Sequence, residues 1–291
     1  MARIIGGIGT SHVPTIAMAY DKKKQNEPAW APMFEGYRPV AEWLAENKPD
    51  VLVTFFNDHA SSFFFDLYPT FAIGIGEQFE VADEGGGKRP LPPIKGNLEL
   101  SIHLAEQLVN EEFDIATFFD RPLDHGVFSP LPLLLPHDPA WPAALVPVSV
   151  NVVQYPLPTA RRCYKLGQAV RRAIESFPQD LKVVIVGTGG LSHQVHGERA
   201  GFNNESWDLE FMEMFVRAPE KLLDMTHADF VRLGGAESVE VIMWLAMRGA
   251  LPGPLRVLHE SYYLATSTAM AVGLYEQASA AGAQRQKVAG R

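Results

Sequence analysis

The sequence predicts an α/β fold, a single-domain open mixed sheet flanked by helices, with its functional site at the carboxyl ends of the strands. Three observations carry that expectation. Residues 3–8, 51–56 and 183–186 are short, largely apolar, β-branched runs of the kind that form strands buried on both faces. Between them lie segments whose apolar residues recur at helical spacing. Each of the three runs also stops at a glycine or polar turn and is followed by a histidine: Gly9-Thr10-Ser11-His12, Asn57-Asp58-His59, and Gly187-Thr188-Gly189-Gly190 leading to His193. Ligands of open α/β sheets bind in the crevice beyond the strand ends. Three of nine histidines in that position are hard to explain as scatter.

Taken in order, residues 3–8 form the first strand and deliver His12 into a loop containing Pro14. The Lys22-Lys23-Lys24 run reads as a solvated loop face. Phe34, Tyr37, Val40, Ala41 and Leu44 share one helical face, widened by Trp43, so residues 33–46 are expected to be a helix packed on the sheet. The second strand, 51–56, presents His59. The aromatics that follow, Phe63-Phe64-Phe65 and Tyr68, read as core or subunit interface rather than a substrate-stacking platform. Residues 85–93 hold three glycines and three prolines and are expected to be an irregular loop, a candidate lid or partner surface. Residues 97–110 read as an amphipathic helix with a structural His103 inside it.

A strand at 115–119 precedes the polar motif Leu123-Asp124-His125-Gly126 and the proline-rich stretch 128–136. A further strand at 145–150 is followed by a helix from Thr159 to about Phe177, set behind Pro158. The strand at 183–186 comes next. Residues 205–216 read as an acidic amphipathic helix, and His227 is expected to cap or precede another. Gly234-Gly235 introduces 236–248, whose apolar density predicts a largely buried helix. Residues 255–258 resemble a final strand. The polar, small-residue stretch 280–291 is expected to fray, leaving residues 1–279 as the domain.

No composition shift or Ser/Pro-rich linker divides the 291 residues, and 47% hydrophobic with 20% charged residues suits one domain with a substantial core. A net charge of -9 argues against nucleic acid or an anionic membrane as the main partner. No uninterrupted apolar stretch approaches a membrane span, and the N-terminal apolar run is too short for a signal peptide. The single Cys163 excludes an intrachain disulfide and a cysteine-built zinc site, which fits a reducing cytoplasm.

Glu237 and Glu240 lie near the start of the expected helix at 236–248, where the helix dipole favours negative charge. For Glu237 that end charge is a sufficient reading. Glu240 lies one turn deeper beside a buried face, where an unpaired carboxylate is costly, so it calls for a partner such as a metal. Two neutral imidazoles and one carboxylate on one side of an ion make the arrangement of non-haem Fe(II) enzymes. His12, His59 and Glu240 can supply that set, with His193 left as an acid/base. A zinc hydrolase uses the same ligand types, although no His-Glu-x-x-His is present. The residues alone leave both readings open.

Taken together, Gly-Thr-Ser-His12, Asn-Asp-His59, Asp-His125-Gly, Gly-Thr-Gly-Gly-Leu-Ser-His193-Gln and Gly-Gly-Ala-Glu-Ser-Val-Glu240 resemble the class III extradiol dioxygenases, over residues 2–275. The resemblance implies Fe(II) held by His12, His59 and Glu240, with His193 as catalytic base. It implies a second active-site histidine in His125, which hydrogen-bonds substrate or intermediates, and a contact from Ser267 to the substrate carboxylate. His196 matches no role. The implied reaction is cleavage of a catechol ring by O2 outside the diol, with protocatechuate as first substrate and gallate, 3-O-methylgallate or an aminophenol as alternatives. A non-catalytic metal-binding relative is the competing class. The resemblance also implies a separate small helical α subunit in a hetero-oligomer, since nothing in this chain looks like a fused copy.

Overall fold

The computed structural model describes residues 1–278; the stretch expected to fray, 280–291, lies outside them. The chain opens with β1 (Arg3–Thr10), α1 (Pro14–Asp21) and α2 (Ala31–Asn47), then β2 (Val51–Phe56). A short-strand region follows, with β3 (Phe71–Gly74), β4 (Gln78–Phe79) and β5 (Ile94–Lys95). After α3 (Leu98–Asn110) come β6 (Ala116–Phe118), α4 (His125–Phe128), α5 (Leu131–Leu134) and β7 (Ala144–Val150). The second half holds α6 (Ala160–Ser176), β8 (Lys182–Thr188), α7 (Glu205–Arg217), α8 (Pro219–Leu223), α9 (His227–Gly234), α10 (Ile242–Ala250), β9 (Leu255–Tyr263) and β10 (Met270–Gln277).

Eight strands form one mixed sheet in the order β6-β3-β7-β2-β8-β1-β10-β9, while β4 and β5 pair separately. The central four, β7, β2, β8 and β1, are parallel, and β3 and β10 flank them antiparallel. Side chains alternate across a strand, and the core divides accordingly. Val51, Val53, Phe55, Val183 and Ile185 join one apolar cluster with α3, α6, α7 and α10. Leu52, Phe56, Val184 and Val186 join the other, with α1, α2 and α5. The sheet is thus covered on both faces, as the apolar runs require.

Side-chain caps set several helix starts. Asn97 accepts a hydrogen bond from the Leu100 amide at 3.0 Å, Thr159 from Arg162 at 3.1 Å and Asn204 from Trp207 at 3.2 Å. Thr226, rather than the expected His227, caps α9 through a reciprocal capping box with Asp229.

Three expectations need correction. Pro14 does not sit in a loop but starts α1, because proline's missing N–H costs nothing in a first turn. The helix expected at 236–248 begins as a 3₁₀ segment, Ala236–Val241, before α10 proper. The strand expected at 255–258 continues to Tyr263, and β10 follows it as the last described strand. Of the aromatics after β2, expected in the core or at a subunit interface, Phe63 is buried and Phe64 and Phe65 are exposed. Among the described residues, no helix is long and apolar enough to cross a membrane.

Candidate functional site

The strands end level with one another. Thr10 pairs with Thr188 and Phe55 with Gly187, so the turns beyond β1, β2 and β8 open at one end of the sheet. The turn after β1 is stapled to β10: the Ser11 amide donates to Ala271 O at 2.8 Å, and Ser11 Oγ donates to Ala269 O at 2.9 Å. The turn after β2 is wound around Asp58, whose carboxylate accepts the amides of Ser61, Ser62 and Phe63 at 3.0 Å. Asp58 therefore builds the loop and His59 is the side chain it presents. After β8 the two glycines admit the Glu240 segment. A Cβ on Gly189, whose φ is +150°, would lie 2.5 Å from Glu240 O, and one on Gly190 would lie 2.4 Å from the His193 ring.

His12, His59, His125, His193 and Glu240 converge there. His12 Nε2 lies 3.1 Å from Glu240 Oε2, and His59 Nε2 3.4 Å from Oε1. The Gly190 amide donates to Glu240 Oε2 at 2.7 Å, and His193 Nε2 lies 3.8 Å from the same oxygen. Ring nitrogens of His12, His59 and His125 fall within 4.8 Å of one another, and His125 stacks on His59 with centroids 3.8 Å apart.

The far ring nitrogens are held as well. Asp124 Oδ2 accepts from His59 Nδ1 at 2.9 Å and from the His59 amide at 2.6 Å. Glu84 accepts from His125 Nδ1 and, at 3.0 Å, from its amide. His12 Nδ1 lies 3.0 Å from Thr188 Oγ1. His193 Nδ1 donates to the Leu191 carbonyl at 2.8 Å, so its Nε2 faces inward as the free nitrogen.

Burial penalises every charge here, and the partners decide which survive. Burial pushes His12 down, with Glu240 only partly offsetting it. Burial also opposes charge on His59, but Asp124 and Glu240 outweigh it and hold His59 up to about 10. Burial would raise the carboxyls of Glu240 and Asp124, yet the surrounding imidazoles keep both well below the usual carboxylate range. The result is an ionised, buried carboxylate faced by two imidazole Nε2 atoms, with Nδ1 of each already engaged. Once a cation displaces the His59 proton, that donor set suits a divalent ion of the iron, zinc or manganese type. Asn57 adds a buried Oδ1 without a hydrogen-bond partner, its amide nitrogen lying 2.9 Å from His59 Nε2.

The other residues singled out have different contacts. Ser267 is exposed on the loop between β9 and β10; its carbonyl accepts from Asn203 Nδ2 at 2.7 Å, and Asn203 also binds Ser192 O, tying that loop to the His193 turn. His196 is solvent-facing, 3.6 Å from Glu237. His103 bonds to Ala173 O and Ser176 Oγ, as its structural reading predicts. The sequence reasoning did not single out Asp124 or Glu84. Asp124 had a signal, its place beside His125 in a polar motif; Glu84 had only its position ahead of a glycine run.

An Asp124→Asn variant keeps the shape but removes the charge that orients His59. Its affinity for a divalent metal is expected to fall by about 10–100-fold, as measured by competition with a chromophoric chelator. Unchanged affinity would mean that Asp124 does not act on the metal through His59.

The model of the catalytic LigB subunit of aromatic ring-opening dioxygenases matches residues 6–275. The chain is 56% identical over 196 residues to a gallate dioxygenase of Pseudomonas putida, covering 67% of this chain and 58% of that protein. It is 27% identical over 288 residues to a 2,3-dihydroxyphenylpropionate/2,3-dihydroxicinnamic acid 1,2-dioxygenase of Photorhabdus laumondii, covering 84% of this chain and 87% of the relative. A protein of the same name from Klebsiella pneumoniae is 33% identical over 189 residues, covering 63% and 55% of the two chains. The match thus spans little more than half the length of the gallate dioxygenase.

Proposed function

The chain belongs to the family of catalytic LigB subunits of aromatic ring-opening dioxygenases, the class III extradiol type, and from that membership we propose that it opens a gallate-type ring with O2 at an Fe(II) centre. The observation that carries this is the convergence of His12 Nε2 and His59 Nε2 on one buried carboxylate, Glu240, with His193 beside it. His12, His59 and Glu240 would hold the metal, which supplies a Lewis acid that favours the ionised diol and a route for electrons from ring to dioxygen.

The side chains perform the rest. His193 presents a free Nε2, because its Nδ1–H is committed to Leu191 O, and this nitrogen takes the proton from a substrate hydroxyl. Glu84 fixes the proton of His125 on Nδ1, leaving Nε2 to hydrogen-bond the substrate. Glu240 and Asp124 stay ionised and balance the positive charge gathered in the site. Ser267 is the proposed contact for a substrate carboxylate, and its loop is joined to the His193 turn through Asn203.

Gallate takes precedence over protocatechuate, the first expectation from the resemblance, because the 56%-identical relative is named a gallate dioxygenase. A small helical α subunit is the proposed partner, and the reducing cytoplasm the proposed location. The test is anaerobic loading with Fe(II), then oxygen-electrode and absorbance recording with gallate, protocatechuate and 3-O-methylgallate, each with and without an α subunit. Stoichiometric oxygen uptake is expected with gallate. Uptake with protocatechuate alone would reverse the substrate order. No uptake with any of the three after verified iron loading would sink the proposal and favour the zinc or non-catalytic readings.

A further inference from the structure

The turn Leu191-Ser192-His193 is held by a carboxylate from another element. Asp208 lies in the first turn of α7 and is only 1% exposed. An acidic residue in a helix's first turn ordinarily answers the helix dipole from the solvent side. Asp208 instead turns both oxygens inward. Its Oδ1 accepts the Ser192 amide at 2.7 Å, and its Oδ2 accepts Ser192 Oγ at 2.6 Å and Tyr262 Oη at 3.0 Å. A buried carboxylate is costly unless its lone pairs are filled, and here two of the three hydrogen bonds go to the residue next to His193.

Neighbouring bonds complete the clamp. Ser192 Oγ also accepts the Asn204 amide at 2.8 Å, Ser192 O accepts Asn203 Nδ2 at 2.9 Å, and the His193 amide donates to Gly234 O at 2.8 Å. The main chain leading into His193 is therefore fixed, while its ring is held through Nδ1. Burial pushes the Asp208 carboxyl up, and Ser192, Tyr262 and positive charge on His193 draw it back.

We propose that Asp208 is the positioning residue for His193, holding the Ser192 turn so that Nε2 stays aimed into the metal cluster. This inference rests on the reading of His193 as the base. Removing the clamp lets the turn relax, and a misplacement of about 1 Å at a reacting group costs on the order of a hundredfold in rate.

The test uses the full chain loaded with Fe(II) and whichever substrate shows oxygen uptake above, with Asp208→Asn, Ser192→Ala, His193→Ala and the double variant Asp208→Asn/His193→Ala. Asp208→Asn is expected to lower kcat roughly 10–100-fold with KM and iron content unchanged, since the lost contacts matter only when the base must be in place. The double variant is expected to turn over no more slowly than His193→Ala alone, because the clamp acts through the base. Wild-type kcat in Asp208→Asn, or losses that multiply in the double variant, would overturn the inference. Should Asp208→Asn fail to fold or bind iron, Ser192→Ala carries the same comparison. Full activity in His193→Ala would instead defeat the base assignment itself, which is a different result from a slow His193→Ala beside a normal Asp208→Asn.

Discussion

A Glu240→Gln variant is expected to fold and to lose both its metal and its turnover. Among the described residues Glu240 is the only carboxylate in contact with both His12 and His59, and it also accepts the Gly190 amide, so a neutral amide of the same size breaks the charge balance without leaving a hole. An uncharged oxygen faces a divalent ion more weakly, and the amide's N–H₂ has to point at an imidazole or at the Gly190 N–H. The loss of metal affinity should exceed the ~10–100-fold that outer positioning residues contribute. Iron content after gel filtration, together with oxygen uptake, measures both. Retention of iron at the wild-type level would remove Glu240 from the ligand set and point to His125 as third donor, since its ring nitrogen already lies within 4.8 Å of those of His12 and His59.

The second large effect is on the chemical step. His193→Ala is expected to bind iron and substrate but to lose roughly a hundredfold to ten-thousandfold in kcat, the usual contribution of a general base. Iron binding should persist because His193 reaches Glu240 only at 3.8 Å, farther than either His12 or His59. Substrate-induced changes in the absorbance of the iron-loaded protein under nitrogen report binding separately from turnover. A kcat within a few-fold of wild type would leave the proton to His125 or to solvent, and the base assignment would fall.

How much of this was legible depended on how local each determinant is. The strand at 51–56 matches β2 residue for residue, because a six-residue run rich in β-branched and aromatic side chains, bounded by Pro49-Asp50 and Asn57-Asp58, suits a strand covered on both faces. The helices at α3 and α6 were legible through a capping residue and an apolar stripe in the same stretch. α1 was hidden because Val13 offers no capping side chain and proline reads as a breaker before it reads as a first-turn residue. β9 is half-exposed beyond its first residue and so lacks a continuous apolar run, while β10 is interrupted by Gly273.

At the site, His12, His59 and His193 could be found because each follows its own strand. Glu240 could be found because a carboxylate on a buried face demands a partner. Glu84 and Asp208 could not, since the residues they hold are 41 and 16 positions away and nothing local marks either as more than a surface acid. The shift from 3₁₀ to α geometry at Val241 was equally unreadable, because apolar periodicity does not separate the two helix types over one or two turns.

The Ser11 staple has a consequence for how the protein is made. Ser11 and Ala271 exchange hydrogen bonds across 260 positions, and β10 is the strand that separates β1 from the outer β9. While a nascent chain is still short of residue 269, β1 is an open edge and the turn bearing His12 has nothing to close against. Contacts of such long sequence separation form late. If the site takes up a metal as proposed, loading is therefore expected only after the C-terminal strands have been made, and the half-made chain leaves the β1 edge exposed.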